Sequence, residues 1–307
     1  MSRPEKTPKL NETTESIEQR NWLDLPDDVT SNILKRVGVV EILESAQKVC
    51  TAWRRICKDP AMWRVIDMEN LGDSATTHPQ LEKLCMQAIH RSRGQLVDIN
   101  VEYFPTNQLI EFLAHGERSS QLRRLQVSHC YGSLNKSWSD FLKKAPLLEE
   151  LALTFTTISE EAVADASRYC PMLKSFIYNN YGWKYSNSAD DFVIAFAKGM
   201  PQLLHLQLTG STMTNKGLQA VLEGCPNLES LDLRGCFSIN LGESCGKLCK
   251  ERIKNLRLPG DSMEGHKVAP YTSDSEDEDE YVWDDYDGIS DGEVDFSGVV
   301  AEYYSLL

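Results

Sequence analysis

The sequence predicts an α/β chain. A small helical unit near the N-terminus leads into a solenoid of about seven strand–helix repeats, and an acidic disordered tail follows. Three observations carry this. A six-residue pattern, apolar-x-x-apolar-x-apolar, returns seven times between residues 96 and 258. Residues 21–70 instead place their apolar residues at helical spacing. Thirteen of the 46 acidic residues fall in the last forty positions, where no Lys or Arg follows Lys267.

The leader, residues 1–20, is polar and reads as disordered. It has no apolar core of the kind a secretory signal needs. The helical unit, 21–70, opens on Asp24 and Pro26, a good helix entry, with Asp27 and Asp28 suited to a first turn. Val29, Ile33 and Val37 recur at four-residue spacing until Gly38 breaks the helix. Ile42, Ala46, Val49, Trp53 and Ile56 then step by 4, 3, 4 and 3, the spacing of one helical face, which Leu43 and Cys50 widen. Asp59-Pro60 stops it. About forty residues is near the limit for independent folding. The apolar supply exceeds what so small a bundle hides, so a second surface must cover the surplus. Residues 71–95 read as a connector with a helical stretch over 79–92.

The repeats occupy 96–262. The pattern begins at Leu96, Leu122, Leu148, Leu173, Leu203, Leu228 and Ile253, in steps of 26, 26, 25, 30, 25 and 25 residues. Each unit supplies a short strand with alternate residues inward, and helical returns follow, as over 159–170, 190–200 and 214–225. Pro146, Pro171, Pro201 and Pro226 each stand two residues before the pattern, ending a helix and setting the turn into a strand. One repeat hides too little of its apolar face alone, so neighbours must stack. The period and the recurring cysteines ("YCPML", "GCPNL", "LDLRGC") resemble the cysteine-containing class of leucine-rich repeats. Those cysteines are expected to be buried and inert.

Several function classes are excluded by what the sequence lacks. The 41% apolar content suits a buried core, and no apolar run approaches the roughly 20 residues that span a bilayer, so no membrane partner is expected. Nine cysteines without a CxxC, the closest pair being Cys245 and Cys249, offer no zinc spacing, so no metal is expected. An odd cysteine count without a signal segment suggests reduced thiols in the nucleus or cytoplasm. There is no Gly-rich phosphate loop, GxSxG or HExxH, and the six histidines are dispersed. Neither an enzyme nor a cofactor is expected. The basic stretch "VCTAWRRICKDPAMWR", 49–64, keeps Arg54, Arg55 and Lys58 at the flanks of the apolar stripe that holds Trp53. Its cations frame a face and form no phosphate track, which argues against nucleic acid.

Within the helical unit, "LPDDVTSNIL", "VCTAWRRIC" and the closing "MWR" resemble the F-box. With cysteine-type repeats behind it, the chain is similar to the plant branch of the F-box/leucine-rich-repeat proteins. The resemblance implies a non-catalytic substrate-recognition subunit of an SKP–cullin–F-box ubiquitin ligase. Its F-box binds an SKP-type adaptor (ASK in plants), and through it a cullin–RING ligase, while its repeats hold an unknown protein substrate. The alternative is a repeat scaffold that binds the same adaptor without degradation. The motif positions carried over to the adaptor are Leu25, Pro26, Ile33, Val49, Cys50 and Trp53, and periodicity adds Leu43. Trp63 is assigned to the seam with the repeats.

The target surface is expected on the strands, among the residues between and beside the inward ones: Arg124, Gln126 and Ser128, and their equivalents along the array. The 30-residue step carries an aromatic insert over 178–191, a candidate contact loop. Ile177, Tyr181, Trp183, His205, Gln207 and Arg234 are the expected target contacts. In the tail, 263–307, an EF-hand register fails because Trp283 and Val294 take ligand places. Ser273 and Ser275 precede acids and suit phosphorylation, and "VVAEYYSLL" is a candidate cap for the last repeat.

Overall fold

The structure is a computed structural model that describes residues 22–69, 78–130, 135–156, 158–179, 189–242 and 244–264. The leader, Tyr181 and Trp183 of the insert, Ser273, Ser275 and the closing segment lie outside the described residues.

Three short helices open the chain: α1 (Asp27–Leu34), α2 (Val39–Glu44) and α3 (Thr51–Ile56). Gly38 separates the first two with φ of +100°, a backbone that side-chain-bearing residues rarely adopt. The stripe from Ile42 to Ile56 is not one helix. The chain leaves helical geometry at Ser45, makes a 3-10 turn over Ala46–Lys48, and is fully extended at Cys50. The Cys50 sulfur then accepts from the Trp53 N–H and caps α3. Helical spacing continues in sequence across two helices that meet at an angle, so Ile42, Ala46 and Ile56 are buried while Val49, between them, is 64% exposed.

Among the described residues the sheet has eight strands, all parallel and paired in chain order: β1 (Val65–Met68), β2 (Asp98–Glu102), β3 (Arg124–Cys130), β4 (Glu150–Thr156), β5 (Ser175–Asn179), β6 (His205–Gln207), β7 (Ser230–Asp232) and β8 (Asn255–Arg257). Helices α4 (His78–Ser92), α5 (Asn107–Ala114), α6 (Asn135–Lys144), α7 (Glu160–Tyr169), α8 (Asp190–Ala197), α9 (Asn215–Gly224) and α10 (Ser244–Arg252) return between them. A parallel pair needs such a crossover. This is the solenoid, with one more unit than the seven expected. Trp63, Ile66 and Met68 take the three inward places of the added unit, and α4 is its helix. The segment expected to be a connector is therefore largely the first repeat. The register confirms the equivalence: Ile66 lies beside Ile99, Leu125, Leu151, Phe176, Leu206, Leu231 and Leu256 in successive strands.

The inward leucines from Leu96 to Leu233 are shut off from water, a gain of about 1.5–3 kcal/mol per side chain. Aromatic pairs thicken the middle: Phe176 stacks on Phe196 at 4.4 Å, and Tyr178 on Phe192 at 4.8 Å. Repeat cysteines lie where expected, buried, and each reaches back one repeat. Cys130 Sγ donates to Pro105 O at 3.1 Å and Cys236 Sγ to Leu208 O at 2.8 Å. Burial pushes the Cys170 and Cys236 thiols up to about 12 and the Cys225 thiol to about 11, so they stay protonated and unreactive.

Buried polar groups also bridge repeats. The Asp190 carboxylate accepts from the Thr214 N–H (2.8 Å), the Thr214 hydroxyl (2.7 Å) and the Gly217 N–H (3.0 Å), capping α9 from the previous unit. Gly217 is required there, because a Cβ would come within 2.7 Å of Asp190 Oδ1.

Candidate functional site

Two surfaces gather the residues singled out in the sequence. The first is on the N-terminal helices. On α1, Thr30 and Leu34 face the core, and Ser31 Oγ donates to Met62 Sδ at 2.9 Å. The neighbouring stripe, Val29, Ile33 and Val37, is turned outward; Val29 and Val37 are exposed and Ile33 is half-buried. Pro26 is exposed and Leu25 half-buried at the helix entry. Trp22, before them, is 61% exposed. Val49 is exposed, Cys50 is half-buried as the cap of α3, and Trp53 is half-buried against the core.

Among the expected adaptor contacts, Leu43 is a correction. It is only 4% exposed, because α2 turns it inward with Ile42, and it serves the local core. Trp22, Val29 and Val37 add apolar surface that the motif positions omit. The four-residue spacing shared with Ile33 is a sufficient signal for Val29 and Val37; nothing in the sequence marks Trp22. The flanking cations behave as solvated edges: Arg55 meets the Asp27 carboxylate at 2.7 and 2.8 Å with both partners exposed, a pair worth about 0–1 kcal/mol.

Trp63 fixes this unit to the array. Its ring is buried, its Nε1 donates to Cys57 O at 2.9 Å, and the Arg91 guanidinium of α4 lies 5.5 Å from its centre. Arg91 also donates to Gln47 Oε1 at 2.9 Å. One residue thus ends the helical unit and begins the first repeat.

The second surface is the open face of the sheet. Register lines up Asp98, Arg124, Glu150, Ser175, His205, Ser230 and Asn255 in one row, and Asp67, Asn100, Gln126, Ala152, Ile177, Gln207, Asp232 and Arg257 in the next. Arg124 joins Asp98 (3.3 Å) to Glu150 (3.1 Å) across three strands. Partial burial raises the Asp98 carboxyl above its usual range, and Arg124 pulls it back. The third row was expected to be open and is covered: Ser128, Thr154 and Asn179 are buried. Three of its following residues, Tyr103, His129 and Phe155, have φ of +70°, +53° and +50°. Gly210 and Gly235 take the same backbone in later repeats.

Toward the C-terminal strands a depression of about 230 Å³ opens, lined in part by Ile177, His205, Gln207 and Arg234. Four of the six expected target contacts therefore converge. Arg234, however, is buried: it grips the Asp232 carboxylate (Nη2–Oδ2 2.6 Å) and donates to Ser262 O at 2.7 Å. Its charge is held inside the protein, and the exposed cation of the depression is Arg257.

Comparison with known proteins agrees with this architecture. The F-box-like family model matches residues 22–69. F-box protein SKIP19 of Arabidopsis thaliana is 44% identical over 92% of this chain and 89% of its own length. F-box/LRR-repeat protein 22 of the same plant is 42% identical over 85% of this chain and 84% of its own. F-box/LRR-repeat protein 23 is 47% identical over 79% of this chain, and the chain spans about half of that relative, 54%. With an F-box-like segment at its N-terminal end, parallel repeats behind it and such identity across nearly the whole of a relative, this chain belongs to the F-box/leucine-rich-repeat family.

Proposed function

We propose that the chain is the substrate-recognition subunit of an SKP–cullin–F-box ubiquitin ligase. The N-terminal helices bind an SKP-type adaptor, and the open face of the repeats holds the protein to be modified. The observation that carries this is that Trp22, Val29, Val37 and Val49, four large apolar residues within 28 positions, are left in water while Leu34, Ile42, Leu43 and Ile56 are buried. Exposed apolar residues grouped in this way mark a contact surface. The adaptor covers that face, with Leu25, Pro26, Ile33 and Trp53 at its centre and Cys50 holding α3 in position.

The contribution to the reaction is proximity. The chain supplies no reacting group; it keeps a target lysine at high effective concentration near the charged conjugating enzyme. The depression around Ile177, His205 and Gln207 suits a protruding target side chain, because its volume of about 230 Å³ is below the ~300–1,000 Å³ of enclosed small-molecule sites.

The test is co-purification of the full chain with an SKP-type adaptor. Val29→Asp with Val49→Asp should weaken the complex at least tenfold while leaving the thermal midpoint of the free chain within a few degrees. Unchanged adaptor binding would refute the reading. Loss of the chain from cells should then raise the level of a captured target; a target that is captured but does not accumulate would assign a scaffold role instead.

A further inference from the structure

The first two complete helix-to-strand turns differ from the four that follow them. Four later turns carry Pro146, Pro171, Pro201 and Pro226 two residues before the inward pattern; the turn after α4 has Gly94 at that place and the turn after α5 has Ser120. Both turns use left-handed backbone, with φ of +50° at Arg93, +78° at Gly94 and +69° at Gly116. Arg93 gains nothing sterically from that geometry, which costs a non-glycine residue on the order of 1–2 kcal/mol. The two turns also touch: a Cβ on Gly94 would lie 3.1 Å from Glu117 O.

Their sequences share a motif. "HRSR" over 90–93 and "HGER" over 115–118 each place His three residues before Arg. All four residues, His90, Arg93, His115 and Arg118, line one cavity of about 270 Å³, in which Glu117 is the sole acidic lining residue among the described residues. Basic residues are ordinary at helix C-termini, and in α6 and α7 one of them answers an acid one turn back. Lys143 pairs with Asp140 at 3.0 Å and Arg168 with Asp165 at 3.2 Å. Here the residue three before each arginine is a histidine. Arg118 is held by stacking over Phe112 at 3.7 Å and by donating to Phe112 O at 2.9 Å, so its guanidinium is fixed before any ligand arrives. Desolvation, and then Arg118, Arg93 and Arg91, push the His90 imidazolium down from its ordinary value. The local field is positive.

We propose that the cavity between the α4 and α5 turns binds a phosphoryl oxyanion through His90, Arg93, His115 and Arg118. Donors arriving from two turns suit a tetrahedral group with three or four acceptor oxygens better than a planar carboxylate with two. A phosphate carrying about −1.5 to −2 charges at neutral pH matches two arginines and two imidazoles able to donate N–H groups. The phosphoryl group comes either from a free phosphate or from a phosphorylated protein side chain.

The experiment is a titration of the full chain, at constant ionic strength near pH 7, with inorganic phosphate in one arm and a phosphoserine peptide in the other. Potassium chloride serves as the control, and the histidine ring resonances are followed by NMR. The site predicts saturable shifts at both His90 and His115 and an upward move of the His90 titration, because an anion stabilises the imidazolium. Saturation by phosphate assigns a free ligand; saturation by the peptide alone assigns a protein-borne one; either supports the site. Arg93→Gln with His115→Gln should weaken binding at least tenfold, and His115→Gln alone, at an exposed position, should weaken it severalfold with the fold intact. Ring resonances that stay still in both arms, that move equally with chloride, or that saturate unchanged in the double variant would overturn the proposal.

Discussion

The N-terminal helices and the repeat array solve the same problem in opposite ways. Both are built of units too small to close a core. The array closes by stacking: the middle inward row is dry from Ile66 of β1 to Leu231 of β7, and buried polar groups find partners one repeat away, as Asp190 does in Thr214 and Gly217. The helical unit closes only on one side. Within 28 residues it leaves Trp22, Val29, Val37 and Val49 in water. The difference teaches where each region's missing neighbour is: for a repeat it is the next repeat, and for the helices, on the function proposed above, it is the adaptor.

Trp63 is where the two regions join, so it is the first place to break the comparison. Trp63→Ala removes the first inward side chain of the array together with the floor of the helical unit. The expected cost is about 3–5 kcal/mol by urea denaturation, the range for a fully buried tryptophan. Loss of protection should reach both Ile66 in β1 and Ile56 in α3 when backbone hydrogen exchange is followed. Exchange confined to one side would mean that the regions fold separately.

The array's internal capping is the next test. Asp190→Ala strands the Thr214 and Gly217 N–H groups and should cost about 1–3 kcal/mol. Gly217→Ala pushes a methyl group against the same carboxylate and should cost about 1 kcal/mol, since the gain in helix propensity offsets part of the loss. In the Asp190→Ala background that second substitution should become neutral or stabilising. Strictly additive losses would show that the two residues are not coupled.

For the outer face of the helices the expectation reverses. Val29→Ala and Val49→Ala should each change stability by no more than about 0.5 kcal/mol, as surface substitutions do, although both residues are large and apolar. A cost near that of a core valine would place them in a core the exposures do not reveal, and the contrast between the regions would fail.

Much of this contrast was legible in sequence. The repeat period gave the strands, and the inward rows follow from alternation alone. The first repeat was hidden because "WRVIDM" puts a tryptophan where later units have leucine, and because 33 residues separate it from Leu96. The covered third row, Ser128, Thr154 and Asn179, was illegible for a different reason: alternation says which face a residue is on, and not what lies over it. In the helical unit, spacing found the apolar stripes but could not rank them. Val29, Ile33 and Val37 look like a core face, yet the core lies one residue over, at Thr30 and Leu34. Leu43 and Val49 share one expected stripe, but the chain leaves helical geometry at Ser45, so Leu43 is buried and Val49 is exposed.

The smallest expected effect concerns a carboxylate inside the array. Glu82 of α4 is buried and accepts from the Thr106 hydroxyl at the entry to α5. Burial pushes its carboxyl above the usual range, and the hydrogen bonds from Thr106 and Leu109 pull it part of the way back. The folded chain therefore holds this proton more tightly than the unfolded chain, whose glutamate titrates near ~4.3. Glu82 is at its most favourable below that value, and stability is lost as pH rises through the folded pKa. Glu82→Gln keeps an acceptor for Thr106 and removes the titration. The stability of the variant relative to the wild type should thus rise as pH increases from about 4 and level off above the folded pKa, read from urea midpoints at each pH. A difference that stays flat from pH 4 to 7 would mean that the donors of the neighbouring repeat fully offset the burial, and that even this carboxylate follows the self-sufficiency of the rest of the array.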